Sequence, residues 1–414
     1  MKSIAIIGSG PAGCYLADQL LRFIPDADID VLEKLPVPFG LIRYGVAPDH
    51  QSTKAVARVF DRVLARDNVG FFGNVEVGCN VRLAELMELY DAVVLATGAP
   101  RDRRLGIPGE DLPGVIGSGS FVAWYNGHPH GRVPSVDNIR SVVIIGNGNV
   151  AIDVARILAK APEELTGSDL SRDVLSQLSS QPLQTIYIVG RRGPAEAKFT
   201  DHELAELGTL QRAQPVVDDP GSLAGESDVV KTLRSFADAA SRNTPVTIRF
   251  LFHQVPIAFS GDERLRAVQF RNEADAITEL PAQLAITCIG YETVACCTAA
   301  PANGIFAHQE GKVGERLYVA GWAGRGPSGT IPTNRTEAQK LAQKIADEIA
   351  DGSRPGRAGL RKLLEERSVD WVDYAGWRRI DTAELSRACA DRCREKIADT
   401  RHMLDVALTH QESA

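Results

Sequence analysis

The apolar positions of this chain fall into short unbroken runs separated by amphipathic stretches. Ile4-Ala5-Ile6-Ile7, Ile29-Asp30-Val31-Leu32, Asp91 to Ala99, Val142-Val143-Ile144-Ile145, Thr185 to Val189, Leu284-Ala285-Ile286 and Leu317-Tyr318-Val319 are rich in β-branched residues and close on glycine or polar residues. Such runs predict strands buried on both faces, as in parallel sheets. Between them, helical periodicity marks Cys14 to Leu21, Ser52 to Ala65 with Val56, Val59, Phe60 and Val63 on one face, Ala84 to Leu89, and Val229 to Ala240. Strict alternation in Val246 to Leu251 and Arg266 to Phe270 predicts antiparallel strands across a turn at Gly261-Asp262, and short strands are expected at 69–72 and 75–77. Alternating strands and helices define an α/β fold.

Two of the strand ends carry chemistry. After Ile7 comes Gly8-Ser9-Gly10-Pro11-Ala12-Gly13, and a helix opens directly behind it. Gly8 permits a tight turn, Gly10 lets the backbone approach a pyrophosphate, and Gly13 lets helix and strand pack closely; the helix start attracts phosphate. The next strand ends in Glu33, roughly 20 residues on, where an acid accepts from a ribose hydroxyl. The pattern repeats as Gly146-Asn147-Gly148-Asn149-Val150-Ala151, so two dinucleotides are expected. The strand that follows the second turn is delayed by a polar insert, Pro162 to Gln184, and ends in Arg191-Arg192 instead of an acid. Guanidiniums there suit a 2′-phosphate, which makes NADPH the second nucleotide.

Further stretches belong with these turns. Lys34 to His50, with three prolines and two glycines, predicts an irregular loop whose apolar side chains can wall a flat ring. A strand leaving through small residues, as at Thr97-Gly98, can pass close beneath a bound cofactor. Arg325-Gly326-Pro327-Ser328-Gly329-Thr330-Ile331 opens a helix that runs through Glu337 to Ile349. The charged tail from Ser353, with Trp371, Trp377, Leu385, Ile397, Met403 and Leu404, is expected to pack on the first domain.

The totals narrow the class. At 414 residues, 44% hydrophobic and 24% charged, the chain holds about two or three globular domains. A net charge of −7 supplies no basic field for nucleic acid. Seven cysteines include no C-x-x-C pair or zinc-like spacing, so reduced thiols and no metal are expected, with Cys296-Cys297 an incidental pair. The first strand starts too early for a leader, and no run approaches the roughly 20 apolar residues of a membrane span. A cytoplasmic protein, or the mature form of an organellar one, without membrane insertion is expected.

Taken together, the Pro38 to His50 stretch, Gly146 to Ala151, Gly190-Arg191-Arg192-Gly193-Pro194 with Phe199-Thr200, and Gly321-Trp322 with Arg325-Gly326-Pro327 resemble the adrenodoxin reductase type of NADPH–ferredoxin reductase, in the glutathione-reductase-like flavoprotein fold. The resemblance spans nearly the whole chain. It implies a discontinuous FAD domain, residues 1–104 and 318–414, with an NADPH domain inserted at 105–317. It implies that Ala12, Glu33, Leu41 and Val81 contact the adenosine half and neighbouring parts of FAD, beside Gly8, Gly10, Gly13 and Thr97. Trp322, Gly329, Thr330 and Ile331 would line the flavin ring. NADPH would lie on Asn147, Gly148, Asn149 and Val150 with its 2′-phosphate on Arg191 and Arg192, while Glu203 and His50 would set the nicotinamide carboxamide. The implied reaction passes hydride from NADPH to FAD and then single electrons to a transiently bound ferredoxin-like iron–sulfur protein. Ala205 stands where the family has a docking arginine, and the tail carries Cys393-Arg394-Glu395-Lys396 in place of a more basic run. Those departures keep open an NADPH-dependent flavoenzyme acting on a small molecule. A disulfide reductase would need a cysteine pair that the spacing does not provide.

Overall fold

The buried runs form parallel strands in two separate six-stranded sheets. In the computed structural model, residues 2–131, 138–295, 301–350, 352 and 354–409 are described. The chain divides into a first unit, Met1–Arg101 with Tyr291–Ala414, and a second unit, Asp102–Gly290. The junctions therefore fall at 101/102 and 290/291, not at 104/105 and 317/318. After Gly290 the chain is already bound to the first unit: Thr293 Oγ1 donates to the Gly98 carbonyl at 3.1 Å, and Glu292 pairs with Arg101 at 2.6 Å. Phe306 then buries itself in that unit's core.

The first sheet runs in the order Lys312–Gly314, Leu317–Val319, Ala92–Leu95, Ser3–Ile7, Asp28–Glu33, Val69–Gly73. Ile7 sits in register with Leu95 on one side and Leu32 on the other. Successive side chains of a strand point to opposite faces, and both faces are covered. Ile4, Ile6, Ile29 and Val31 pack with Leu16, Leu20, Ala342 and Ile345, whereas Ala5, Ile7 and Leu32 pack with Leu86, Tyr90, Leu360 and Leu364.

The second sheet is ordered Val115–Gly117, Leu284–Thr287, Ser141–Ile145, Thr185–Val189, Val246–Leu251, Ala213–Val217. Val142, Ile144, Ile186 and Ile188 face helices, including Asn149–Ala159. Val143, Ile145 and Val189 face a three-stranded antiparallel sheet of Val255–Ser260, Ala267–Arg271 and Ile277–Pro281.

Several elements differ from expectation. Val246–Leu251 is a parallel strand of the main sheet, and the hairpin across Gly261-Asp262 joins Ala267–Arg271 to Val255–Ser260. Its residues do alternate between buried and half-buried, but alternation reports which face is covered, not the direction of the neighbour. Ala213–Val217 was not anticipated because Pro215 breaks its pattern; it lies at the sheet edge, where proline is tolerated. The expected strand at 75–77 is reduced to a bridge between Val77 and Val81. The helix expected over Ser52 to Ala65 splits into Gln51–Lys54 and Ala57–Leu64, with short bonds from Arg58 N to Ala55 O and Val59 N to Val56 O at the break. Val59 is exposed, as is Leu385 in the tail. The polar insert folds as a helical turn, Pro162–Leu165, and the helix Arg172–Ser179. Inside the Lys34 to His50 loop, Leu41–Tyr44 forms one turn of helix. Cys296 and Cys297 lie outside the described residues. Among the described residues no helix is long and apolar enough to cross a membrane.

The tail packs on the first unit as expected, and charge as well as apolar contact holds it there. Trp377 meets Phe39 edge-on at 5.6 Å, and Trp371 meets Phe72 at 4.8 Å. Glu384, fully buried in the helix Tyr374–Ser386, receives the guanidinium of Arg43, an N–H of Arg394 at 2.9 Å and the Ile397 amide at 2.9 Å. Burial opposes the charge on Arg43, but Glu384 beside it wins and holds the guanidinium above its ordinary pKa. Arg394 also reaches Asp381 at 2.6 Å, and Lys396 is buried, so the charged run of the tail is turned inward. Removing one partner of a buried pair leaves the other uncompensated, so Glu384→Ala is expected to cost roughly 3–5 kcal/mol. Chemical denaturation checks this; a loss below that of an exposed ion pair would show that Arg43 finds another partner.

Candidate dinucleotide sites

In the first unit the strand Ser3–Ile7 delivers the chain to Gly8, whose φ of +112° is open to glycine alone. The Gly8 amide donates to Leu32 O at 2.8 Å, and the Ala96 amide donates to Ile7 O at 2.8 Å. The turn is thereby fixed over the ends of both neighbouring strands. A Cβ on Gly8 would lie 2.4 Å from the Ala96 carbonyl oxygen, and one on Gly13 would lie 2.0 Å from the Gly8 carbonyl oxygen. Gly10 is different: a Cβ there meets nothing within 4 Å, so its Cα faces open space at the start of the helix Pro11–Phe23.

Glu33 reaches back to this turn. One carboxylate oxygen accepts from Ser9 Oγ at 2.6 Å and Ser9 N at 3.1 Å, the other from Leu35 N at 3.2 Å. Ser9, between the first two glycines, was not singled out from the sequence; a hydroxyl in that position is the signal that could have found it. The loop behind Glu33 folds onto the turn as well, with Phe39 N donating to Ser9 O at 3.1 Å and Gly40 close to the Gly10 Cα. That contact places Leu41, 46% exposed, at the rim. His50 begins the short helix Gln51–Lys54 in the same unit. Val81 has its side chain wholly in the core, so it offers a ligand only main chain. Thr97 Oγ1 is buried and has no hydrogen-bond partner among the described residues.

Gly321 brings the returning segment to the same place: its φ is +65°, and a Cβ on it would fall 2.5 Å from the Ala12 Cβ. The following loop is tied by its own side chains. Trp322 Nε1 and Arg325 Nε both donate to the Ser328 carbonyl, at 3.1 and 3.0 Å, and Arg325 pairs with Glu337. Thr330, exposed, caps the helix Ile331–Glu348 beside exposed Gly329 and half-buried Ile331. Trp322 itself stacks on Tyr291, with centroids 5.9 Å apart.

The second unit repeats the first turn. Gly146 has φ +135°, its amide donates to Val189 O at 2.9 Å, and Cys288 N donates to Ile145 O at 2.7 Å. A Cβ on Gly146 would lie 2.2 Å from the Cys288 carbonyl oxygen, while one on Gly148 meets nothing within 4 Å. Asn147 fills the notch left by Gly190, and its Oδ1 is buried without a partner among the described residues. Asn149 Oδ1 accepts from Thr200 N at 2.8 Å, and Lys198 N donates to Asn147 O at 2.7 Å. The Gly193 to Thr200 segment therefore folds against the glycine turn and places Glu203 in the helix Asp201–Glu206. Arg191 and Arg192 are exposed at the end of Thr185–Val189, and neither guanidinium has an ion-pair or hydrogen-bond partner among the described residues. Two cations without partners among the described residues, beside a glycine turn, are suited to an anion. Cys14 and Cys288 lie beneath the two turns, and burial pushes both thiols up, far from the thiolate that disulfide exchange requires.

The residues fit the two nucleotides. Open space over Gly10 and Gly148 admits a pyrophosphate, the orphaned Thr97 hydroxyl and Asn147 amide oxygen supply polar partners, and acid and base follow at Glu33 and Arg191-Arg192. This architecture is that of a two-dinucleotide oxidoreductase, and residues 2–188 match the family described as pyridine nucleotide-disulphide oxidoreductase. Over 97% of its length the chain is 36% identical to NADPH:adrenodoxin oxidoreductase of Bos taurus, covering 91% of that protein. It is 39% identical to cindoxin reductase of Citrobacter braakii over 99% of this chain and 93% of that one. FprA from Mycobacterium tuberculosis, solved in complex with NADPH, superposes with a TM-score of 0.94 at 34% identity, covering 99% of this chain and all of that one. The chain belongs to the adrenodoxin reductase family of NADPH-dependent oxidoreductases.

The glycines separate folding from binding. Gly148→Ala should leave the thermal midpoint nearly unchanged, because its Cβ projects into open space, and should weaken NADP⁺ binding if that space takes the pyrophosphate. Gly146→Ala should lower the midpoint, because its Cβ meets backbone. Equal midpoints for the two variants would contradict the packing described.

Proposed function

We propose that the chain is an FAD-dependent ferredoxin–NADP reductase that takes hydride from NADPH and delivers single electrons to a ferredoxin-like iron–sulfur protein, acting in the cytoplasm. The observation that carries this is the repetition of one turn geometry with opposite chemistry behind it: Glu33 in the first unit, and in the second Arg191 and Arg192, without partners among the described residues. FAD, when bound, accepts a hydride and gives up its electrons one at a time. The chain's own part is placement. The Gly8 to Gly13 turn and the start of the helix Pro11–Phe23 hold a pyrophosphate, Glu33 keeps lone pairs for a ribose hydroxyl, and Val81 contributes main chain. Trp322, tied through Ser328 to Arg325, walls the ring, and the amides of Gly329 and Ile331 favour negative charge on it, the Thr330 amide being held by Thr333 Oγ1. Asn147 to Val150 hold the second pyrophosphate, and Glu203 is assigned to the nicotinamide carboxamide.

The named activities of the relatives support a ferredoxin-type acceptor. The departures do not remove it: Arg394 and Lys396 of the tail are committed inside the first unit, so they take no part in docking. Exposed Ala205 is the observation that favours a small-molecule acceptor.

Anaerobic addition of NADPH should bleach the oxidised-flavin absorption within seconds; persistent absorption overturns the proposal. A panel of ferredoxins coupled to cytochrome c reduction at low salt then identifies the acceptor class, and failure of every ferredoxin to outpace a free dye would point to the small molecule. Replacing Arg191 and Arg192 together by Ala should raise KM for NADPH by about 10- to 100-fold, the effect of losing roughly 1.5–3 kcal/mol of charge-assisted bonding, with little change for NADH. Equal effects on both coenzymes would remove the phosphate clamp.

A further inference from the structure

The segment after Val246–Leu251 is laced to the strand end that carries the two arginines. Gly190 N donates to Leu251 O at 2.9 Å, Gln254 N to Gly190 O at 3.0 Å, and His253 N to Arg192 O at 3.3 Å. His253 holds a left-handed backbone, φ +55°, a conformation uncommon for non-glycine residues but one that histidine adopts more readily than most. One edge of its ring is bonded and the other borders Gly193. Nδ1 lies 2.6 Å from Glu273 Oε1, and the other edge lies over Gly193, where an added Cβ would come within 3.0 Å of Nε2. Glu273, its side chain largely exposed, sits in a hairpin turn in which Asn272 Oδ1 accepts from Ala274 N at 3.0 Å and Ala276 N at 2.9 Å. The same space over Gly193 is bordered by Glu196 Oε2.

Two carboxylates thus flank the turn that bears Arg191 and Arg192. Either would repel an anion held there, and an anion is what two guanidiniums without partners among the described residues are suited to hold. His253 stands between Glu273 and Gly193 and engages the Glu273 carboxylate through Nδ1–H.

We infer that His253 is a positioning residue of the 2′-phosphate clamp: packed on Gly193 and bonded to Glu273, it keeps the Arg191-Arg192 turn in place and screens it from the carboxylate. This rests on the assignment of the 2′-phosphate to Arg191 and Arg192 proposed above. The interaction is confined to the phosphate, so it bears on the choice between phosphorylated and unphosphorylated nucleotide and not on the rest of the binding site.

Titration calorimetry on the full-length FAD-loaded protein, with 2′,5′-ADP and 5′-AMP as probes, tests it. The wild-type protein should prefer 2′,5′-ADP; no preference would overturn the clamp itself and this inference with it. His253→Ala should weaken 2′,5′-ADP binding about tenfold and leave 5′-AMP unchanged. His253→Asn should retain most of the affinity, because asparagine tolerates the left-handed backbone and its amide can donate to Glu273. Adding Glu273→Ala to His253→Ala should restore at least part of the loss, which a purely structural role would not allow. If the wild-type preference is present and His253→Ala weakens both probes equally, or neither, or if the double variant is no better than the single, the inference is overturned.

Discussion

In both units a glycine with positive φ is pressed against the carbonyl that ends the neighbouring strand, and the rest of each site follows from that contact. Gly8 lies against Ala96 and Gly146 against Cys288, so near that a single methyl group would collide with backbone oxygen. The amides around them make the same bonds, Gly8 to Leu32 and Ala96 to Ile7, Gly146 to Val189 and Cys288 to Ile145. With the turn seated this low, the next glycine is lifted free and the helix start behind it faces open space. Backbone donors and the helix dipole then converge where a pyrophosphate can sit. The neighbouring strand ends carry Thr97 in one unit and lead past Gly190 to the arginines in the other.

What differs between the units is the charge set around that common frame. In the first, Glu33 closes on Ser9 and Leu35, and the loop beyond it is held from the far end of the chain by Glu384. The carboxylate of Glu384 joins Arg43 and Arg394 in the core, so residues near the C-terminus help to set the position of Leu41 at the rim. In the second, the two arginines have no partner among the described residues, and one of the two nearby acids, Glu273, is occupied by a histidine. The two units therefore differ in what stands at the end of the second strand, and the proposed assignment of the two cofactors rests on that difference. A carboxylate accepts from a bare ribose, whereas guanidiniums want a phosphate.

The glycine turns, the strands around them and the acid or arginines that follow were legible because each is a local pattern. A tight turn needs glycine at a fixed spacing, and a strand buried on both faces needs an unbroken apolar run. The discontinuous division of the chain was legible too, since the strand at Leu317 continues the pattern of the first unit. Val246–Leu251 was read with the wrong neighbour, since its alternation is compatible with either pairing direction. Ala213–Val217 was hidden by Pro215, harmless at an edge. The exact return to the first unit depends on Glu292 and Thr293 meeting Arg101 and Gly98, contacts between residues far apart in sequence.

The sequence by itself thus determined the two glycine turns and the opposite charges that follow them, because those properties belong to short stretches whose residue types are dictated by backbone geometry and charge. Only the tertiary structure decided that Ser9 serves Glu33, that Arg43 and Arg394 share Glu384 inside the core, and that His253 and Glu273 stand beside the arginine turn. Such pairings join segments tens to hundreds of residues apart, and a buried charge or a bonded histidine looks, along the chain, no different from one in water.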